Sequence, residues 1–544
     1  MTRPSLLLLP PLGLPTHPFP ALPQLTAWLR SRGRQVTPLD LNLEFCRWLV
    51  EPRRLRELIS LGREALAVLE GRPALSGLEA ARATTLRSAL QTVDSLGPRF
   101  WTALDPTDPS GRGLRLQALS AALEVAFSTT DAERVHATPL GCQYFGSFDP
   151  YSSASIVGEL ESGASLFDDF YGDFLPGVLR EEWLFAGISI PFASQCGPGL
   201  RMARAVKTLR PGLPVVIGGS YVGMHLSATE EPALFRYVDV MVSGSGERPL
   251  EQVCAELESP RPDLSRVAGA TFLREGTVVR TPPGPPLPLA EIPLPDDSLD
   301  RSRYFGGADD SFLQVKLSQG CGWRRCVFCN LAGCGLFPRE IPDEERTFEK
   351  VRSLVGRGAR MISFGDDEAD PAMLERFARR VVDAGLRFRW TVNARLDPRM
   401  SLEWALLLRQ AGCRTLAVGL EHLDDALLRW MRKGIDSVLV DRSLENLAWG
   451  GLPVLAYMMV GLPGETEDLA RDTLRGVLQR MDEGLLSNVI YSAFTLSPGS
   501  PVHGDPGSHG ISSLRPPPGA DLNPPVQDFD QPGKFYWYGA RLCA

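Results

Sequence analysis

Four cysteines fall within fourteen residues: Cys321, Cys326, Cys329 and Cys334. The first three read Cys321-Gly-Trp-Arg-Arg-Cys326-Val-Phe-Cys329, a C-x4-C-x2-C spacing. Thiolates this close on one loop hold soft metals. A four-iron four-sulfur cluster normally takes four protein ligands, so three leave one iron open to a substrate or cofactor. Zinc usually takes four closed ligands, and Cys334 or a distant group could complete that set as a structural knuckle. Chance clustering is the remaining alternative. The other six cysteines are scattered, and ten in 544 residues are too sparse for a disulfide scaffold.

The elements around the cysteines alternate. Apolar runs at Leu313–Leu317, Met361–Phe364, Phe388–Val392, Thr415–Val418, Val454–Met458 and Asn488–Phe494 read as strands. Helical patterns fill the gaps at Glu344–Gly358, Pro371–Ala384, Leu402–Gln410, Asp425–Arg432, Val438–Ala448 and Glu467–Glu483. Six strand–helix units fit an incomplete (β/α) barrel, whose active end is the C-terminal end of its strands. The cysteines follow the first strand.

This series resembles the radical S-adenosylmethionine enzymes, whose usual loop is C-x3-C-x2-C with an aromatic residue before the third cysteine, here Phe328. The first spacing is one residue longer here, which cobalamin-type members are known to vary. The resemblance implies cluster ligation by Cys321, Cys326 and Cys329, and gives Cys334 no role. It also implies S-adenosylmethionine contacts. The acidic run Gly365-Asp366-Asp367-Glu368 stands where the family meets the cofactor's amino group, with the choice among the three acids open. Arg395 would pair with the carboxylate as a guanidinium fork. Gly419 and Glu421 match the ribose-side motif, followed by Met431-Arg-Lys433-Gly434, and Gly461 and Pro463 match the turn near adenine. Ser497-Pro-Gly-Ser500-Pro resembles the segment after the sixth strand. No residue is assigned as a catalytic acid or base.

The N-terminal part alternates too. Leu6–Leu9, a helix over Ala21–Arg32 and Val36–Leu39 make a βαβ opening. Residues from about 43 to 180 lose the alternation and read as a mostly helical insertion. Strands return at Phe185–Pro191, Leu213–Ile217 and Val238–Val242, and Thr271–Val279 reads as a hairpin turning at Glu275-Gly276. Short buried strands alternating with helices predict a doubly wound parallel sheet, with ligands at the carboxyl ends of its strands. This half resembles the cobalamin-binding domain of one radical S-adenosylmethionine class. The implied cobalamin contacts are Gln195, Gly218, Gly219, Ser220, Gly244, Gly246 and Glu247, with Ser245 where the family often has an acid. None of the six histidines (His17, His136, His225, His422, His503, His509) sits in a D-x-H-x-x-G pattern, so a His-off mode is implied. His225 reads as a solvated loop residue.

The chain is thus α/β throughout. It divides into a cobalamin-type domain at 1–281, a linker at 282–300 that opens with seven prolines between 282 and 295, a barrel at 301–505 and a tail at 506–544. The tail's Phe535-Tyr536-Trp537-Tyr538 could cover the barrel mouth. A net charge of −8 argues against a broad nucleic-acid surface. No apolar run reaches membrane length, and the chain reads as cytoplasmic.

The resemblance implies reductive cleavage of S-adenosylmethionine to a 5′-deoxyadenosyl radical. It further implies methyl transfer through cobalamin to an unactivated carbon, in a peptide natural-product (RiPP) substrate or another small molecule. A flavodoxin or ferredoxin would supply electrons. The alternatives are a radical cyclase, epimerase or decarboxylase without methyl transfer, and a non-enzymatic zinc protein. A methylthiotransferase acting on RNA usually has further cluster cysteines and a basic module, and neither is evident.

Overall fold

The computed structural model describes residues 3–108, 111–130, 135–138, 141–144, 148–163, 165–307, 311–332, 338–341, 343–526 and 528–530. Cys334 and the aromatic run Phe535–Tyr538 lie outside the described residues. The chain folds as two compact units. One holds Met1–Leu287, Pro295–Leu313 and Gly519–Asn523; the other holds Pro288–Leu294, Gln314–Pro518 and Pro524–Ala544. The proline-rich segment is therefore shared between the units.

The first unit is built on a seven-stranded sheet. Its strands are β1 (Ser5–Leu9), β2 (Val36–Asp40), β3 (Ala186–Ser189), β4 (Val215–Gly218), β5 (Val240–Val242), β6 (Ala270–Arg274) and β7 (Thr277–Arg280), in the order β2-β1-β3-β4-β5-β6-β7. The first five strands pair in parallel, and β6 and β7 add antiparallel at one edge. All five residues of β1 are buried, as a central strand covered on both faces must be. The hairpin turns where expected, with Glu275 and Gly276 both at positive φ. Between β2 and β3 the chain is mostly helical. Helices over Pro52–Glu70, Gly77–Leu96 and Arg112–Thr130 are followed by others over Ser153–Glu161 and Leu166–Val178. They pack on Phe45, Phe127, Phe167 and Phe170, whose rings lie 5.4–6.1 Å apart.

The second unit holds a six-stranded sheet whose order follows the chain: β8 (Leu313–Val315), β9 (Met361–Ala369), β10 (Arg389–Ala394), β11 (Cys413–Glu421), β12 (Val454–Val460) and β13 (Asn488–Ala493). Pairing is parallel from β9 through β13. Burial alternates along β10, where Trp390, Val392 and Ala394 are buried and Arg389, Thr391 and Asn393 are less so. That pattern belongs to a sheet with helices on one face and a more open concave face, the partial barrel expected. The helix Pro371–Asp383 starts where Asp370 accepts from Met373 N, with Pro371 as first residue. Its Phe377 ring sits 5.4 Å from Phe364 and 6.0 Å from Trp390. Each buried ring of this kind contributes roughly 2–3 kcal/mol.

Two positions expose the fold to direct test. Gly412 opens β11 at φ +96°, and a Cβ there would stand 2.1 Å from the Phe388 carbonyl oxygen. Gly412→Ala is expected to destabilise the second unit by about 2–4 kcal/mol, read from the urea midpoint. In the first unit Asp40 is buried and accepts from Leu43 N and from the Tyr304 hydroxyl at 3.1 and 2.8 Å. Burial pushes its carboxyl up to about 6. The folded chain holds that proton more tightly than the unfolded one, so the stabilisation is full below about pH 4 and is lost as pH rises through 6. Asp40→Asn should flatten the stability profile between pH 4 and 6.5, followed by thermal unfolding across that range.

Candidate functional site

The strand ends carry the predicted residues, and they do so by breaking the strands' regularity. Between Phe364 and Ala369, β9 advances five residues while its partner β10 advances two, so Gly365-Asp366-Asp367-Glu368 forms a bulge. Gly365 leaves room there for the Gln314 side chain, whose amide would lie 2.1 Å from a Cβ. The bulge turns the three acids toward the cysteine loop. Asp366 accepts from Leu317 N at 3.1 Å, from Ser318 Oγ at 2.7 Å and from Ser318 N. Asp367 accepts from Gly320 N at 3.0 Å, and Glu368 from Gly322 N at 2.6 Å. Arg339 reinforces this by donating to the carbonyls of Gly320 and Glu368 at 2.8 and 3.0 Å.

Asp366 is 1 % exposed, and burial pushes its carboxyl up to about 6. It holds the end of β8 rather than facing open space, whereas Asp367 is exposed and Glu368 half-buried.

The cysteine loop leaves β8 and crosses to the segment after β11. Val327 N donates to Met431 O at 3.1 Å, and Trp323 Nε1 to Arg432 O at 2.8 Å. Cys326 is buried, while Cys321 and Cys329 are partly exposed. Burial pushes the Cys326 thiol up to about 11, with Cys329 and Cys321 adding to the rise and the Lys433 ammonium opposing it. Burial likewise raises Cys321, and Arg324 N opposes it. The three thiols are thus electrostatic neighbours. Among the described residues no group of three or more potential ligands is already drawn into metal geometry. As a donor set, three thiols on one loop beside a cation suit a soft metal or an iron–sulfur cluster. Arg324, within the longer first spacing, takes φ +48°. The extra residue is absorbed by a left-handed turn, at a cost of about 1–2 kcal/mol.

A second bulge lies at the end of β11, where Gly419 pairs with Tyr457 and Glu421 already with Met458. Glu421 takes φ +66° and meets Lys433 Nζ at 2.7 Å. Gly419 leaves room for this pair, since a Cβ would stand 2.3 Å from Glu421 Oε1. Lys433 Nζ also lies 5.9 Å from the Phe328 ring centre. Arg395, just past β10, donates to the carbonyls of Lys433 and Gly434, both at 2.8 Å. One compact region therefore contains Phe328, Arg395, Gly419 and Glu421 with the cysteine loop.

The turn after β12 is closed internally. Glu465 is buried and accepts from Gly461 N and Leu462 N at 2.5 and 2.9 Å. Its other oxygen lies 3.1 Å from His422 Nε2, and His422 Nδ1 accepts from Asp424 N at 3.0 Å. An imidazole accepting at Nδ1 carries its proton at Nε2, so a neutral His422 donates to Glu465. This pair fixes Gly461, at φ +84°, and the buried Pro463.

In the first unit, Gln195, Gly218, Gly219, Ser220, Gly244, Gly246 and Glu247 follow the ends of β3, β4 and β5. Packing explains much of the glycine usage. Gly219 has φ +109°, and a Cβ would stand 2.6 Å from Ile190 O. A Cβ on Gly246 would touch Leu25 at 3.2 Å, and Gly244 needs its left-handed φ of +81°. Ser220 Oγ donates to Pro191 O at 3.2 Å, and the half-exposed ring of Phe192 stands next to the strand end. Glu247 is buried at the start of the helix Glu247–Glu258. Gln195 differs. It is 1 % exposed, its amide nitrogen donates to Pro10 O at 2.9 Å, and its Oε1 is buried with no partner. An orphaned buried acceptor at a strand end fits a ligand-binding crevice.

One expectation is corrected. His225 is not solvated: it is 8 % exposed, bonds through Nδ1 to Asn523 O at 2.9 Å and packs 5.0 Å from the Tyr151 ring. The return of residues 519–523 to the first unit buries it, and nothing in its local sequence signals that return. Trp323, His422 and Lys433 stood inside the motifs without an assigned contact, Trp323 in the cysteine loop, His422 in Gly-Leu-Glu-His-Leu and Lys433 in Met-Arg-Lys-Gly, whereas Arg339 had no sequence signal.

Residues 315–476 match the family model of the Radical SAM superfamily. An uncharacterized methyltransferase of Pyrococcus horikoshii is 26 % identical over 302 residues, 54 % of this chain and 63 % of that protein. An anaerobic magnesium-protoporphyrin IX monomethyl ester cyclase of Synechocystis is 24 % identical over 242 residues, 43 % of this chain and 47 % of that one. The chain thus spans less than two thirds of these curated relatives. The fold is that of the radical S-adenosylmethionine methyltransferase TsrM of Kitasatospora setae, solved with cobalamin and a [4Fe-4S] cluster bound. That likeness has a TM-score of 0.56 at 16 % identity and covers 92 % of this chain and 74 % of that one. The span from 315 to 476, cysteine loop and strand-end motifs together, is a radical S-adenosylmethionine domain.

Proposed function

We propose that this chain is a cobalamin-dependent radical S-adenosylmethionine methyltransferase acting on an unactivated carbon of a peptide or other small natural product. The observation that carries the reading is the set of three neighbouring thiols, Cys321, Cys326 and Cys329, just past the first strand of a matched radical S-adenosylmethionine domain. These three would hold a 4Fe-4S cluster. Asp367, Glu368, Arg395, Gly419, Glu421, Gly461 and Pro463 would border S-adenosylmethionine, and Asp366 would act by holding the loop. Gln195 and the strand-end positions Gly218, Gly219, Ser220, Gly244, Gly246 and Glu247 would border cobalamin. When bound, the cluster and S-adenosylmethionine supply one-electron cleavage chemistry, and cobalamin supplies the methyl group.

The chain's own residues have definite tasks in this reading. The β9 bulge holds the loop backbone so that the thiols share one region. Lys433 places a cation beside Cys326, which favours the thiolate that ligation requires. Arg395, anchored through Nε and Nη2, would offer Nη1 to a carboxylate. Glu465 and His422 hold the Gly461 turn closed. Cys46, Cys196, Cys254, Cys321, Cys326, Cys329 and Cys413 stand outside disulfides, in keeping with a reducing compartment such as the cytoplasm, where a flavodoxin or ferredoxin is available. No helix among the described residues is long and apolar enough to cross a membrane.

TsrM, whose fold this chain shares, has also been solved with its tryptophan substrate, which supports a small-molecule or peptide side-chain substrate here. Radical chemistry without methyl transfer is the second reading, favoured by similarity to the cyclase. S-Adenosylmethionine carrying a labelled methyl group separates the two, since only the first reading moves label into product.

Anaerobic reconstitution should give a brown protein with about four irons that forms 5′-deoxyadenosine. Cys329→Ala is expected to abolish both; a colourless wild-type chain with one zinc would overturn the reading. Gln195→Leu should weaken cobalamin binding about tenfold in an absorbance titration, with the thermal midpoint recorded in parallel. Equal affinity in a folded variant would remove Gln195 from the site.

A further inference from the structure

The cysteine loop contains one aromatic ring that none of the assignments above uses. Trp323 lies between the first two cysteines, and three separate contacts fix it. Its Nε1 donates to Arg432 O at 2.8 Å. The guanidinium of Arg395 lies over its ring, with Cζ 4.0 Å from the centroid. On the segment after β11, Gly434 runs so close that a Cβ would stand 2.2 Å from the indole Cζ2. Gly434 takes φ +70°, so both its conformation and its bare Cα suit this contact.

These contacts define the orientation of Arg395. Its Nε and Nη2 reach Lys433 O at 3.1 and 2.8 Å, and Nη2 also reaches Gly434 O at 2.8 Å. The carbonyls hold one edge of the guanidinium, and the indole sets its plane. Either alone would leave a rotation free. With Nε and Nη2 spent on these carbonyls, Nη1 is the nitrogen left to meet a carboxylate, and the plane of the guanidinium sets where its N–H bonds point. The indole is also part of the loop with the longer spacing, so the ring that orients Arg395 is tied covalently to Cys321 and Cys326.

We infer that Trp323 is a positioning residue: it couples the cysteine loop to Arg395 and sets the guanidinium plane for the carboxylate of S-adenosylmethionine. The inference rests on the proposed function, and it extends that reading to a residue outside the assigned cofactor contacts. Trp323 is not among the residues assigned to the cluster or to the reacting carbon. Its effect therefore belongs to cofactor affinity and not to cluster content.

The test uses reconstituted full-length protein: wild type, Trp323→Ala, Trp323→Phe and Gly434→Ala. Iron per chain is measured alongside the dissociation constant for S-adenosylmethionine by equilibrium dialysis. Trp323→Ala is expected to keep wild-type iron while its dissociation constant rises about tenfold, and KM should rise with a smaller change in kcat. Trp323→Phe, which keeps a ring beneath the cation, should return affinity to within about threefold of wild type. Gly434→Ala, whose Cβ would crowd both the indole and Arg395 Nη2, should weaken affinity at least as much as Trp323→Ala. Wild-type affinity in Trp323→Ala overturns the inference, as does a phenylalanine variant as weak as the alanine one. Iron loss with unchanged affinity per loaded chain also overturns it, because Trp323 is then a loop anchor only. A wild-type chain that takes up neither iron nor S-adenosylmethionine refutes the proposed function, and the inference falls with it.

Discussion

The cysteine loop is held by its backbone, and carboxylates on a neighbouring strand do the holding. The N–H groups of Leu317, Ser318, Gly320 and Gly322 point at Asp366, Asp367 and Glu368. Gln319 in this stretch pairs with Glu340 in a bridge, and its neighbours' donors go instead to charged acceptors, which bind them more strongly than neutral ones. Because the acids come in succession, a regular strand would send alternate side chains to opposite faces. The bulge in β9 removes that alternation. The arrangement depends on an irregularity in the sheet, at which Gly365 leaves room for the Gln314 side chain.

This accounts for what could be read in advance. The strands were legible because apolar runs of four to seven residues separated by amphipathic helices have few other interpretations. Leu402–Gln410 begins and ends where its pattern does, with Ser401 accepting from Trp404 N at its start. The ends of β9 and β11 were harder. Period-two patterning stops at Phe364 and Val418, yet the strands continue to Ala369 and Glu421. Bulged residues lose periodicity while keeping ladder contacts, so polar residues there look like loop. The choice among Asp366, Asp367 and Glu368 was open for the same reason, as burial within a bulge has no compositional signature. His225 was misread because its cover arrives from almost 300 residues away, at Asn523.

Charge is arranged in the same economical way at the second bulge. Lys433 and Glu421 are both nearly buried and bonded at 2.7 Å, an arrangement whose desolvation cost is offset only with good geometry. The pair stands beside Cys326, where the ammonium favours a thiolate and the carboxylate opposes it. The net local field on the loop thus depends on how Lys433 divides its charge between a carboxylate and a thiol. The left-handed conformation of Glu421 brings its carboxylate back toward Lys433, so backbone geometry and electrostatics are coupled at one residue.

The longer first spacing is informative in this light. Inserting a residue between two ligands would ordinarily displace the second one, but Arg324 turns left-handed while the neighbouring Trp323 ring is held by Arg432, Gly434 and Arg395. The added length is taken up on the outside of the loop, where Arg324 and Arg325 are exposed. Cys326 then enters the buried side, and Val327 bonds Met431. Spacing between ligands is therefore a weaker constraint than anchoring of the segment between them. A loop whose backbone is held at Gly320, Gly322 and Val327, and whose Trp323 ring is clamped, can vary its length at its exposed corner while its thiols remain neighbours.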